Sequence, residues 1–135
     1  MQTATLSNGA KVVLAQRKGV PLVEMNFQFN FGYAQENNDE LGYTNFMMGM
    51  LNEGTKKYSS LEFDEALDSL GSNLGFGSGL DTSVATLSSL KANLSQTLDL
   101  AKEALINPTF PEKEIERIKK KHWLELFKRK IGQHL

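Results

Sequence analysis

The 135-residue chain has no cysteine, which excludes both a disulfide and a thiolate metal site. That absence is equally compatible with the cytoplasm and the periplasm. Net charge is nearly absent too: 15 Lys and Arg against 16 Asp and Glu leave a formal −1, and so small an imbalance gives no field to draw nucleic acid or an anionic membrane. No apolar run approaches the roughly 20 residues of a bilayer-spanning helix, and the opening M-Q-T-A-T-L-S-N-G lacks the basic and apolar regions of a signal peptide. G-x-S-x-G occurs nowhere, so neither a serine nor a cysteine nucleophile is readable. The only histidines are His122 and His134, and neither has a second histidine or a carboxylate at a spacing that matches a known metal motif. No pair of carboxylates stands out for glycoside chemistry.

What is present is ordinary globular material, 40% hydrophobic and 23% charged, enough for one core without staples. Residues 1–135 are therefore read as a single domain, or part of one. Residues 3–7 and 10–16 flank Asn8-Gly9, a pair that suits the two-residue type I′ turn of a hairpin. After a turn at Arg17-Lys18-Gly19, Val23, Met25, Phe27, Phe29 and Phe31 alternate with Glu24, Asn26, Gln28 and Asn30. Such alternation predicts a strand with one packed face and one polar face.

A polar loop over 32–40 leads into a helix from about Leu41, with Asp39 or a neighbour as its cap, Phe46, Met47, Met50 and Leu51 on its apolar side and Gly54 at its end. Ser59 and Glu62 have capping-box spacing before Phe63, Ala66, Leu67 and Leu70, and Gly71 stops that helix. Leu74, Phe76 and Leu80, then residues 84–90, read as two strands around Asp81. The intervening G-F-G-S-G runs on into a β-prone stretch and not a helix, which argues against a phosphate loop. Asn93 with Gln96 forms a second capping arrangement before Leu94, Leu98, Ala101 and Leu105, and Asn107-Pro108 ends that helix. Pro111 opens a last helix with acids near its start and Lys128, Arg129 and Lys130 near its end. Its stripe of Ile115, Ile118, His122 and Leu126 makes His122 a packed core histidine. The lysines over 119–121 are offset by Glu112, Glu114, Glu116 and Glu125, the pattern of a solvated helix face. The order, strand-strand-helix-helix repeated, predicts an α+β fold: an antiparallel or mixed β-sheet covered on one face by paired helices.

One stretch carries a resemblance. The segment L-G-Y-T-N-F-M-M-G-M-L-N-E-G-T over 41–55 resembles the one that, in the pitrilysin/insulinase family of zinc metallopeptidases, reads G-x-x-H-x-x-E-H-x-x-x-x-G-T. With Gly42 and Gly54-Thr55 aligned, the motif positions fall without a gap on Asn45, Met48 and Gly49. L-S-N-G-A-K-V-V-L, G-T-K-K-Y-S-S-L-E-F, L-D-S-L-G-S-N-L and N-P-T-F-P-E-K-E-I-E-R-I extend the likeness over nearly the whole chain. Catalytic zinc needs three nitrogen, sulfur or carboxylate ligands and an open position, with a base for the bound water. Asn45, Met48 and Gly49 supply none of these. The family's third ligand is a glutamate beyond an E-R pair, and counting from Glu116-Arg117 lands on or next to Trp123.

The resemblance thus implies the first subdomain of a non-catalytic half, a segment of a longer chain. It would hold no metal and would pair with a catalytic, zinc-bearing half, fused or separate, to form a chamber for an unfolded peptide. The polar side chains Glu24, Asn26, Gln28 and Asn30 would then be a chamber face, the alternative being plain solvated sheet. A chain cut from a larger unit would also tend to self-associate. The other function class open to such a chain is a structural scaffold module with no peptidase role, as the family's relatives in respiratory complexes are.

Overall fold

The computed structural model describes residues 1–133, without the side chains of Glu40 and Gln133. Its elements are β1 (Gln2–Thr5), β2 (Lys11–Leu14), β3 (Leu22–Phe29), α1 (Tyr43–Met50), α2 (Ser60–Leu70), β4 (Asn73–Ser78), β5 (Ser83–Leu90), α3 (Leu94–Ile106) and α4 (Glu112–Gln133). The α+β architecture and the alternation of strand and helix blocks are those the sequence predicts, with a third strand in the first block. All strand pairing is antiparallel and falls into two sheets, β1-β2 and β3-β5-β4.

The β3-β5-β4 sheet is built on the alternation seen in the sequence. Met25 lies opposite Leu87, which lies opposite Leu74; Phe27, Ala85 and Phe76 form the next rank. Helices α2 and α3 cover this side, so Phe63, Leu67, Leu74, Leu87, Leu100, Ala101 and Ala104 make one buried cluster. Full burial of a side chain such as Phe63 stabilises by about 1.5–3 kcal/mol relative to exposure. On the other side Glu24 and Asn26 share a face with Ser88 and Thr86.

Several local expectations are corrected. The first hairpin has a longer turn than type I′: Leu6 N–H donates to Ala10 O (2.8 Å), Gly9 N–H donates to Leu6 O (2.9 Å), and Gly9 has a positive φ whereas Asn8 does not. That is the three-residue loop with a bulge at glycine, and Asn8 serves through its Oδ1, which accepts from Ala10 N–H. Leu80 is in the β4–β5 turn and exposed. Asn93 makes no side-chain cap; its amide donates instead to Leu70 O (2.9 Å), tying α3 to the end of α2. The buried stripe of α3 is Thr97, Leu100, Ala101 and Ala104, one step round from the predicted one. It rotates because Thr97 joins the buried hydroxyls of Ser72 (2.6 Å) and Ser89 (3.1 Å), while the alanines permit close approach to the sheet.

The Ser59–Glu62 capping box of α2 forms as its spacing predicts. α1 differs at both ends. It starts at Tyr43, and its cap is the Glu36 carboxylate, which accepts from Gly42 N–H (3.0 Å) and Thr44 N–H (2.7 Å) in place of Asp39. The Thr44 and Gly42 backbone donors hold the Glu36 carboxyl below its usual range. Met48, Met50 and Leu51 are buried, and the helix ends at Met50, before Gly54.

Gly54 has a different task. Its φ is +146°, and a Cβ there would stand 2.6 Å from Pro111 Cγ. Around it, Thr109 N–H donates to Gly54 O (3.0 Å), Lys56 N–H to Asn107 O (3.0 Å) and Lys57 N–H to the buried Glu103 carboxylate (3.2 Å). The chain after α1 is thereby bound to the end of α3 and the start of α4. Gly54→Ala should cost about 2–4 kcal/mol, since it combines backbone strain with a clash against a ring that cannot swing aside. Denaturant unfolding of the variant measures this; a loss below about 1 kcal/mol would show that the 54–111 approach does not constrain the fold.

Candidate functional site

Two walls meet at the segment that resembles the zinc motif. Asn45 and Gly49 lie one turn apart on the exposed side of α1, and Asn52 continues that line just past the helix end. Opposite them, α4 contributes Ile118, Lys121, His122 and Glu125, and Phe46 and Phe76 are also in the lining. The cleft between them has a volume of about 440 Å³. Its width is set at one end by Glu53, which accepts from Ser60 Oγ and from Arg117 (2.5 Å), while Arg117 also bridges to Glu114 (2.7 Å). The His122 ring stands edge-on to Phe46 at 6.2 Å.

The motif positions do not act together. Met48 is 1% exposed and points into the core, whereas Asn45 and Gly49 border the cleft. Trp123 is exposed and stacks on Phe127 at 5.4 Å; it is absent from the cleft lining, and its neighbours His122 and Glu125 face the cleft in its place. His122 is therefore no core histidine. From Lys119 to Gly132 the described residues of the helix are all exposed, so the predicted stripe continues past the body it would pack on. His134 lies outside the described residues.

A zinc ion does not fit this donor set. Asn45 offers a neutral carboxamide, Gly49 offers nothing, His122 and Glu125 are one imidazole and one carboxylate on a single helix, and the Glu53 carboxylate at the cleft edge is already held by Arg117 and Ser60, where three free protein ligands are needed. Among the described residues no group of three His, Asp or Glu side chains converges on a metal position. No helix of the described residues is long and apolar enough to cross a membrane.

The polar side of β3 leads to a second concavity. Glu24, Asn26 and Gln28 are exposed along the strand, and Asn30 is exposed just beyond it. Glu24 and Asn26, with Asp64, Asp68, Asn73 and Thr86, line a groove of about 710 Å³ that shares Asn52 with the cleft. Gln28 and Asn30 are outside that lining. Partial burial, with the Glu53 and Asp68 carboxylates nearby, pushes the Asp64 carboxyl up. Sequence reasoning missed Phe46, Asn52 and Phe76 as cleft residues. The spacing of Asn45, Gly49 and Asn52 at i, i+4 and i+7 was the available signal; Phe76 comes from another element and leaves none.

The model of the insulinase family, peptidase family M16, matches residues 11–131. The chain is 25% identical over 116 residues to the mitochondrial-processing peptidase subunit beta of Rattus norvegicus, which is 86% of this chain and 24% of that protein. It is likewise 25% identical over 114 residues to the non-peptidase homolog YmxG of Helicobacter pylori, 83% of this chain and 26% of that one. The crystal structure of a peptidase M16 inactive domain from Pseudomonas fluorescens matches at TM-score 0.82 and 31% identity, over 89% of this chain and 29% of that one. A protease from Helicobacter pylori shares the fold, with TM-score 0.75 at 21% identity, over 90% of this chain and 30% of that one. The chain thus spans about a quarter of the length of the curated relatives it matches.

Gly49 is the cleft residue whose identity the fold least requires. It lies inside α1, its φ is not positive, and an added Cβ would meet nothing within 4 Å. Gly49→Ala should therefore stabilise the chain by about 0.5–1 kcal/mol, the helix-interior difference between the two residues. Thermal and urea unfolding check this; a destabilised variant would mean that the position is packed.

Proposed function

Since the chain belongs to the insulinase family, peptidase family M16, we propose that it serves as the first subdomain of a non-catalytic half, walling a peptide chamber that a zinc-bearing catalytic half completes. The likeness of residues 41–55 to the family's zinc motif supports the reading, since Asn45, Met48 and Gly49 would then take the positions of its ligands and base, and Asn45 and Gly49 border the cleft against α4. Zinc and bond cleavage then belong to the partner half, fused or separate. This chain contributes shape and substrate contact, and nothing in it takes or delivers a proton to a scissile bond.

Two features support a partnered role. The β1-β2 hairpin exposes Val12, Val13 and Leu14, and the outer part of α4 exposes Trp123, Leu124, Leu126, Phe127 and Ile131. Apolar surface of this extent is characteristic of a protein contact, and on its own the chain would self-associate through it. The open polar face of β3 supports contact with an extended peptide, for its side chains alternate away from the packed side and owe the fold nothing.

Replacing Asn26 and Gln28 with arginine tests the chamber. Thermal stability of the chain should stay within the effect of about ±0.5 kcal/mol usual for exposed positions. In the assembly with the catalytic half, peptide KM or cleavage preference should change while the chemical step does not, because a wall acts by placing substrate. Unchanged peptide kinetics with unchanged stability would assign the face to ordinary solvated sheet and favour a scaffold role.

A further inference from the structure

We propose that Asn8 is a site of spontaneous covalent modification: the Gly9 backbone nitrogen displaces the side-chain amide as ammonia, and water opens the resulting cyclic imide to aspartate or isoaspartate. The proposal is independent of the chamber reading.

The step needs the amide nitrogen of the following residue to reach the carboxamide carbon, and a side chain on that residue crowds the approach. Of the ten asparagines, Asn8 alone is followed by glycine. Asn107 is followed by proline, which has no N–H to lose, and the other eight by residues that carry a side chain.

The turn brings the reacting groups together. Asn8 Oδ1 accepts from Ala10 N–H (3.0 Å), an Asx turn that folds the carboxamide back over the backbone of residue 9. The same bond polarises the Cγ carbonyl and aims a donor at the oxygen that becomes negative as the nitrogen attacks, the arrangement that stabilises acyl-transfer intermediates. One contact opposes the reaction. Gly9 N–H donates to Leu6 O (2.9 Å), which holds the proton that must be lost. A single net hydrogen bond of this kind retards the step by about tenfold at most. Little keeps it closed, because residues 1–22 are exposed throughout and β1 and β2 pair only with each other. A two-stranded hairpin without a packed face is marginal in water, so local opening is cheap.

Hydroxide removes the Gly9 amide proton, the nitrogen bonds to Asn8 Cγ, and the tetrahedral oxyanion forms on Oδ1 beside Ala10 N–H. Collapse breaks the Cγ–Nδ2 bond, and Nδ2 leaves as ammonia with a proton from water. A second water cleaves the imide at one of its two carbonyls. Attack at the side-chain carbonyl gives aspartate; attack at the main-chain carbonyl gives isoaspartate. Either product adds a negative charge to a segment whose charged side chains, Lys11, Arg17 and Lys18, are all basic. Isoaspartate also lengthens the main chain by one carbon, which breaks the pairing of Leu6 with Ala10.

The test incubates the 135-residue chain in mildly alkaline buffer beside a blocked peptide of residues 4–12, with mass spectrometry of tryptic fragments. The fragment of residues 1–11 contains no other asparagine. It should gain the mass of NH2 replaced by OH, with isoaspartate identified by enzymatic methylation. The rate should rise in proportion to hydroxide and lie within about tenfold of the peptide's. Gly9→Ala, in chain and peptide alike, should slow conversion by about tenfold or more, an added barrier of about 1.4 kcal/mol. Thermal unfolding of the aged chain should match that of the fresh one, with amide shifts altered over residues 2–14 alone. Absent conversion, earlier conversion at another asparagine, a rate more than tenfold below the peptide's, an undiminished rate in Gly9→Ala, or a lowered thermal midpoint on ageing would each overturn the proposal.

Discussion

The contact on which the rest of the structure depends is the approach of the Gly54 backbone to the Pro111 ring. No side chain can be accommodated between them, and the positive φ at Gly54 turns the chain so that its carbonyl meets Thr109 N–H. The end of α1, the end of α3 and the start of α4 are thereby fixed at one point. The Glu103 carboxylate secures the same junction from beneath by accepting from Lys57 N–H and the Asn107 amide, and these donors, Asn107 first, hold its carboxyl below the usual range. From there α4 can leave in only one direction, with Arg117 bound to Glu53 as it passes α1. The cleft is the space that this geometry leaves open.

That construction separates scaffold from chemistry. The residues that hold α1 against α4 are glycine, proline, threonine, glutamate and arginine at the junction; of these Glu53 borders the cleft, and its carboxylate is taken up by Arg117 and Ser60. Asn45 and Gly49 take no part in that junction, so the fold does not depend on what side chain stands at either position. Met48 is buried and adds apolar contact to the core, where a carboxylate would require a polar partner. The peptidase M16 inactive domain of Pseudomonas fluorescens, at TM-score 0.82, shares this architecture.

Much of this was legible in the sequence because it is local. The capping box at Ser59, the alternation along β3 and the two-strand reading around Asp81 each rest on neighbours a few residues apart, and each appears in the fold. The family itself was likewise legible from its wording, without any geometry. What could not be read depends on distant partners. Gly54 looks like a helix stop until Pro111 is placed beside it, and His122 looks like core until α4 is seen to outrun the body of the domain. The rotation of the α3 stripe follows from hydroxyls on Ser72 and Ser89, residues with no signature that pairs them with Thr97. Phe76 reaches the cleft from a strand, and no spacing along α1 could have announced it.

The central claim is that this domain retains the cleft of a zinc peptidase without the donors that bind the metal. Zinc titration of the purified chain by calorimetry, with elemental analysis after dialysis, tests it most directly. The account predicts no stoichiometric uptake, and no change in any weak heat on replacing Asn45 with alanine, because His122 and Glu125 share a single helix and the Glu53 carboxylate is held by Arg117 and Ser60, short of the three free ligands required. Retention of about one zinc per chain, lost on His122→Ala or Glu125→Ala, would show that the cleft still assembles a metal site and would contradict the account.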